Sequence, residues 1–227
     1  MNVGLSGKGG YAPPTYNHPR VIFPSEIGGA DWGGASFNPE LGLLFINVND
    51  LGQLNGLKDP ASGPINLTTL PGSNNPGGRM GPYNEAGPPG RFKVTDPAIN
   101  MPCNQPPWGE MVAVNVNTGN VAWRVPLGVS DTLPAGKQNT GLPSQGGSIA
   151  TAGGLVFIGG AIDNRFRAFD AKTGKEIWTV KMNASAESVP STYLGKDGKQ
   201  YVVVAATGGG DAAAPVTSDE ITAFALK

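Results

Sequence analysis

One stretch of this chain is written twice. Ala113-Val114-Asn115-Val116-Asn117-Thr118-Gly119-Asn120-Val121-Ala122-Trp123 is answered by Ala168-Phe169-Asp170-Ala171-Lys172-Thr173-Gly174-Lys175-Glu176-Ile177-Trp178, with alanine, threonine, glycine and tryptophan at matching offsets. Each kept residue has a physical use in stacked sheets: alanine permits close sheet-on-sheet approach, Thr-Gly turns the chain between two strands, and tryptophan covers the gap to a neighbouring sheet. Two unrelated hairpins would share the turn glycine but not the alanine and the tryptophan. A unit of this kind cannot bury its apolar face alone, so the repeat predicts a succession of like sheets.

Four strand-rich zones fit that expectation. Gly33 to Val48 flanks the turn Asn38-Pro39-Glu40-Leu41-Gly42, and Glu110 to Val125 flanks Asn117-Thr118-Gly119-Asn120; both have the form of hairpins. The third zone holds Gly147 to Thr151, Leu155 to Gly159, Arg165 to Asp170 and Glu176 to Val180, four short strands in a row and hence one propeller blade. The fourth runs from Ser188 through Tyr201–Ala206 to Leu226 and supplies at least three strands of a further blade. Glycine and proline, 35 and 21 of the 227 residues, suit many turns and few long helices. They concentrate in residues 52–101, a stretch without sustained periodicity that is expected to be a long loop, either an insertion on the propeller face or a cover for a site. Residues 1–20 are expected to be irregular.

Several function classes lose support at this level. A net charge of −1 gives no electrostatic reason to bind nucleic acid or an anionic membrane surface. No apolar run is long enough to span a membrane, and Met1-Asn2-Val3-Gly4 lacks the basic and apolar regions of a signal peptide, so the chain as it stands is expected to be soluble. Cys103 is the single cysteine, which rules out an internal disulfide, and the absence of Cys-x-x-Cys-His rules out a covalent c-type haem on this chain. With His18 the single histidine, no Ser-His-Asp set suggests itself, and no phosphate-cradling Gly-x-x-x-x-Gly-Lys-Ser/Thr is present.

The repeat, with alanine, then Asp or Asn, then Thr-Gly-Lys and tryptophan, resembles the tryptophan-docking motif of quinoprotein dehydrogenases. Further segments agree in order: Val21-Ile22-Phe23-Pro24-Ser25, Trp32-Gly33-Gly34, Pro102 to Gly109, Gly146-Gly147, Thr151 to Phe157, Asp163 to Asp170, and Ala223-Phe224-Ala225-Leu226. From about Tyr11 onward the chain is similar to the carboxy-terminal half of enzymes dependent on pyrroloquinoline quinone (PQQ), in particular membrane-type glucose dehydrogenases and their polyol and quinate relatives. The resemblance implies an all-β propeller with about four blades, half of a ring of about eight. It also implies a periplasmic location.

Carried over by position, Asn47 and Asp163 match residues that touch the quinone in glucose-oxidising members, and Asp31 and Trp32 match an acidic-aromatic pair near the same pocket. A planar tricarboxylated quinone needs hydrogen-bond donors, a polar group near its carbonyls and flat apolar walls. Without the resemblance, Asp163 equally serves to cap the turn at Asn164, and Asn47 to close a strand end. Three departures bear on cofactor retention and substrate choice: Ser185-Ala186 stands where the family has two glycines, Glu187 where glutamine is usual, and a histidine is replaced within Gly208-Gly209-Gly210. The general base, the calcium ligands and the lysine paired with the quinone come from blades that this chain does not match.

The activity implied is oxidation of a sugar, polyol or alcohol, with hydride passing to a quinone polarised by calcium, and with this chain as one wall of the site. About four blades leave open sheet faces, so the expected partner is the missing propeller half or a second copy of the chain. A non-catalytic propeller module for assembly is the alternative, and an unrelated hydrolase on the same scaffold is a third reading with no residue constellation behind it.

Overall fold

The computed structural model describes residues 20–25, 28–30, 32–55, 95–96, 101–102, 104–208 and 216–225. Among the described residues every regular element is a strand. They are β1 (Arg20–Ile22), β2 (Ala35–Asn38), β3 (Leu43–Asn49), β4 (Gln53–Asn55), β5 (Thr95–Asp96), β6 (Met101–Pro102), β7 (Gly109–Asn115), β8 (Val121–Pro126), β9 (Ser148–Ala150), β10 (Leu155–Ile158), β11 (Arg165–Asp170), β12 (Glu176–Lys181), β13 (Ser191–Leu194), β14 (Gln200–Gly208) and β15 (Thr217–Ala225). The chain divides into two compact units. Met1–Glu26 with Leu51–Gln105 form one, and Ile27–Asp50 with Pro106–Lys227 form the other. The first contains two short antiparallel ribbons, β1 with β4 and β5 with β6, so part of the expected 52–101 loop carries strand pairing.

The second unit is a succession of antiparallel sheets in the order β2-β3-β7-β8, then β9-β10-β11-β12, then β13-β14-β15. The two hairpins read from sequence are one sheet. β3 and β7 pair along their full length, from Leu43 opposite Asn115 to Asn49 opposite Gly109. Residues 50–108 are therefore an insertion between the second and third strands of a blade. Local patterning marks each hairpin but holds no information on pairing across so long an insertion. Two four-stranded sheets, one three-stranded sheet and the β1–β4 ribbon agree with a propeller of about four blades.

Alternation within the strands builds the contacts between sheets. In β3 the residues at 43, 45, 47 and 49 are buried and those between are half-buried, the period-2 signature of a strand with one covered face. Leu43, Phe45, Met111 and Ala113 from the first sheet meet Val156, Ile158 and Phe169 from the second. Phe166, with Trp178 and Val180 beside it, meets Val202, Val204, Ala206 and Phe224 from the third. Each fully buried residue of the Phe45 or Phe166 kind contributes roughly 2–3 kcal/mol of apolar burial. Phe224 lies 5.1 Å from Trp178 and 5.7 Å from Phe166, ring centre to ring centre, which locks the second and third sheets.

The repeat explains how one sheet holds the next. Alanine stands opposite tryptophan in both copies, Ala113 with Trp123 and Ala168 with Trp178, and the pairing register slips directly after each alanine. Asp170 Oδ1 accepts the Thr173 amide at 2.8 Å and the Thr173 hydroxyl at 2.7 Å, closing the turn, while in the first copy Asn115 Oδ1 accepts the Asn117 amide at 3.0 Å. Those bonds, the Thr173 hydroxyl first, hold the Asp170 carboxyl below its ordinary range. Trp123 reaches from the first sheet into the second copy, where its Nε1 donates to Ala171 O at 3.0 Å and its ring lies on Gly174.

Gly119 and Gly174 occupy the same place in the repeat and share a left-handed backbone, φ 74 and 70. A Cβ at Gly119 would meet nothing within 4 Å, whereas one at Gly174 would press the Trp123 ring at 2.6 Å. Gly119→Ala is therefore expected to cost about 1–2 kcal/mol of backbone strain alone. Gly174→Ala should cost at least about 1 kcal/mol more through displacement of the indole. Urea unfolding midpoints of the two variants measure the difference, and equal midpoints would rule out the Trp123 contact as a stabilising link.

Candidate functional site

Residues 127–147 join β8 of the first sheet to β9 of the second. This connector is compact: Ser130 and Thr140 share a hydroxyl–hydroxyl bond of 2.7 Å, the Ser130 amide donates to Gln138 O at 2.9 Å, and the Leu142 amide to Leu127 O at 2.8 Å. It is held to the first sheet through Ser144. Asn49 Nδ2 donates to Ser144 O at 2.9 Å and the Ser144 amide donates back to Asn49 Oδ1 at 2.8 Å, while Asn47 Nδ2 reaches Ser144 O at 3.3 Å and Ser144 Oγ at 3.2 Å. Both asparagines point inward because they fall on the buried parity of β3. To the second sheet the connector is joined by the bridge between Ser144 and Ala161.

The connector delivers Gly146 and Gly147 to a row where the sheets come into backbone contact. A Cβ on Gly33 would collide with the Gly146 carbonyl, one on Gly147 with the Gly33 carbonyl, one on Gly146 with the Gly160 Cα at 2.7 Å, and one on Gly159 with the Ala186 Cβ at 2.5 Å. Nothing larger than glycine fits between these segments. The first strands follow suit, with Ser36 Oγ and Ser148 Oγ 2.7 Å apart and Asn38 Nδ2 donating to Thr151 O at 3.2 Å. Ser185 and Ala186, the replacements for the family's glycine pair, leave no gap, since both are fully buried. The Ser185 hydroxyl donates to Asn164 Oδ1 at 2.9 Å, and Ala186 O accepts the Gly160 amide at 2.6 Å.

The four sequence-derived positions have different settings. Asp31 lies outside the described residues, as do His18 and Cys103. Trp32, the chain neighbour of Gly33, has 59% of its surface exposed. Asn47 spends its amide nitrogen on Ser144. The side chain of Asp163 is 1% exposed, and its carboxylate accepts the Val129 amide at 2.9 Å, the Arg165 amide at 3.2 Å and both terminal nitrogens of Arg167. The turn-capping role open to Asp163 from sequence is thus one of its bonds, with Asn164 beside it in the left-handed region at φ 57. Asn47 and Asp163 do not touch each other, yet they grip the same connector at Ser144 and at Val129.

Sequence reasoning passed over Arg167 and Asn49. Arg167 is 1% exposed, and the one signal for it is a cation at an inward-facing position of the apolar strand Arg165-Phe166-Arg167-Ala168-Phe169. Asn49 shows only as a second asparagine on the parity of Asn47. Among the described residues no group of three or more His, Cys, Asp or Glu side chains could hold a metal ion, and no helix is long and apolar enough to cross a membrane. The polar atoms of Asp163 and the amide nitrogen of Asn47 are engaged within the protein, which leaves the exposed Trp32 ring as the sequence-derived position with a free face.

Removing Asn49 strands the buried Ser144 amide and leaves Ser144 O with the longer Asn47 bond alone, while removing Asn47 leaves the exchange between Asn49 and Ser144 intact. Asn49→Ala is expected to cost about 2–4 kcal/mol and Asn47→Ala about 1 kcal/mol, measured by urea unfolding. Farther out on the connector, Asp131 bonds Arg165 Nη2 at 2.8 Å and Lys181 Nζ at 3.4 Å. The Arg165 bond, ahead of the charges of Arg165 and Lys181, holds the Asp131 carboxyl below its ordinary value of 3.8. Its folded pKa is depressed, so its contribution is present above the unfolded pKa and is lost as pH falls through the folded one. For a half-exposed pair the amount is about 0.5 kcal/mol. Asp131→Asn should lower stability by that much at pH 7 and converge with the parent protein once the pH lies below the folded pKa, by parallel unfolding titrations.

Comparison with known proteins accords with this architecture. Residues 3–202 match the family model described as PQQ: Glucose/ethanol/alcohol dehydrogenase, beta-propeller domain. The chain is 37% identical over 218 residues to the quinate/shikimate dehydrogenase (quinone) of Acinetobacter baylyi, covering 91% of this chain and 26% of that protein. It is 35% identical over 232 residues to the glycerol dehydrogenase large subunit of Gluconobacter thailandicus, covering 96% of this chain and 31% of that one. Among solved structures, the quinohemoprotein alcohol dehydrogenase from Comamonas testosteroni superposes with a TM-score of 0.55 at 26% identity, over 84% of this chain and 24% of that one. The chain thus spans between a quarter and a third of the length of the two curated relatives. Its repeated alanine-to-tryptophan sheets and its family match over residues 3–202 together establish that this chain belongs to the PQQ-dependent dehydrogenase β-propeller family.

Proposed function

We propose that this chain forms one wall of the quinone pocket of a PQQ-dependent dehydrogenase that oxidises a sugar, polyol or alcohol in the periplasm. The observation that carries the reading is the exposed indole of Trp32 beside glycine backbones packed too closely for any side chain. A flat ring next to side-chain-free backbone suits a planar tricyclic guest. The chemistry supplied by the cofactor is hydride acceptance, with calcium as Lewis acid. This chain's residues bind and orient. Trp32 covers one face of the ring, Asp31 adds a polar neighbour, and Asn47 and Asp163 serve the pocket by fixing the wall that borders it.

The same reading includes a further propeller sheet, from a second copy or from the other part of a longer protein. Ala113 and Ala168 are buried against the next sheet, but Ala223, at the matching place in β15, is exposed. Beside it lie Ile221, 74% exposed, and the stacked pair Tyr193 and Tyr201 at 5.2 Å. An apolar sheet face of this kind is suited to burial by another blade. The competing reading, a non-catalytic propeller module, is favoured by one observation, that the polar atoms of Asp163 are bonded within the protein.

Calorimetric titration of the purified protein with PQQ and calcium, with its mass in solution fixed by light scattering, separates the two. Saturable binding by an assembled species is expected, with a dissociation constant about tenfold weaker in Trp32→Ala. Absence of saturable binding by the parent protein would overturn the dehydrogenase reading in favour of the structural module. A monodisperse monomer would remove the partner sheet.

A further inference from the structure

Arg167 is the largest fully buried side chain in the described structure, and it is charged. Its place in β11, opposite Ile158, turns it toward the first sheet among Val156, Ile158 and Phe169, where an apolar residue would be expected. A buried ion pair is seldom more stabilising than apolar side chains of similar volume, so stability alone does not account for an arginine here. What arginine adds is a planar fork. Its Nη1 and Nη2 take the two oxygens of Asp163, and its Nε donates to Glu176 Oε2 at 3.2 Å. Held this way, the carboxylate keeps Oδ2 directed at the Val129 amide and Oδ1 at the Arg165 amide.

We infer that Arg167 is a positioning residue of the quinone wall: its guanidinium fixes Asp163, and through Asp163 it fixes the Val129 end of the connector that carries Gly146 and Gly147 to Trp32 and Gly33. The inference rests on the function proposed above for what the wall serves, and on geometry for the chain of contacts. The connector has one anchor at Ser144, through Asn47 and Asn49 of the first sheet, and another at Val129, through Asp163 of the second. With the Val129 anchor lost, the second sheet holds the connector through the Ser144–Ala161 bridge and the Asp131–Arg165 bond, and the hold on that side is weakened. Lysine at 167 would keep the charge but not the two-pronged grip.

Two measurements test this on the intact protein. Amide hydrogen exchange at Val129 reads the anchor directly, and PQQ titration reads the wall. Arg167→Met and Arg167→Lys are each expected to speed Val129 exchange about tenfold, with β14 amides unchanged, and to weaken PQQ binding by a similar factor. Val204→Ala, in the core between the second and third sheets, should lower the melting temperature without either effect. The paired replacement Asp163→Leu with Arg167→Met removes both charges and the acceptor for Val129. It should melt near the parent protein yet keep the fast exchange and the weak binding. Val129 remaining protected in Arg167→Met, or normal exchange and binding in the paired variant, would overturn the assignment. Failure of the parent protein to bind PQQ would refute the proposed function, while the exchange data would still decide whether Arg167 holds the connector.

Discussion

Sheets that pack face to face stand about 10 Å apart, a gap that side chains must fill. At one end of this fold that gap closes. Gly33 lies on Gly146 and Gly147 and Gly146 on Gly160, backbone against backbone, while Gly159 lies against the carbonyl and methyl of Ala186. Such contact is possible only where Cβ atoms are missing, so the splay of three successive sheets is set by glycines in three separate segments. At the level of the repeat the space between sheets is filled across the strands, with Phe45 and Trp123 on either side of Ala113 and Trp178 opposite Ala168.

Close backbone approach also buries polar groups that must find partners. The connector of residues 127–147 meets that demand with side chains: the Ser144 backbone is satisfied by Asn49, the Val129 amide by Asp163. Asp163 in turn requires a buried cation, and Arg167 requires Glu176 at the sheet edge. Four polar residues spread along the sequence are linked in this way to the placement of one segment. The arrangement costs desolvation and gives back directionality, since a hydrogen-bonded carboxylate accepts only along defined lines.

What the sequence disclosed and what it withheld divide along physical lines. The repeat from Ala113 and Ala168 was legible because every kept residue acts within a few ångströms of its own turn or its neighbouring sheet, and Trp123 on Gly174 shows that contact. The four strands of the second sheet were legible for the same reason, each joined to the next by a short turn. The union of β3 with β7 was not, because residues 50–108 separate them in sequence and no local pattern records who pairs with whom. Asn47 and Asp163 were singled out through family resemblance. Their partners Ser144, Val129 and Arg167 could not be, since serine and valine are unremarkable and a buried arginine looks on paper like any surface cation.

The placement of those partners bears on how labour divides in the wall. A carboxylate that accepts from a guanidinium and two backbone amides has its lone pairs engaged, and an asparagine that donates twice to Ser144 has little left for a guest. Asn47 and Asp163 therefore face into the protein, while Trp32, next to Gly33 in the chain, is exposed. A wall of that kind can orient a planar molecule and exclude water from one of its faces, both of which depend on shape held rigidly. Proton transfer requires a group with a free valence toward the substrate, and neither Asp163 nor the amide nitrogen of Asn47 offers one.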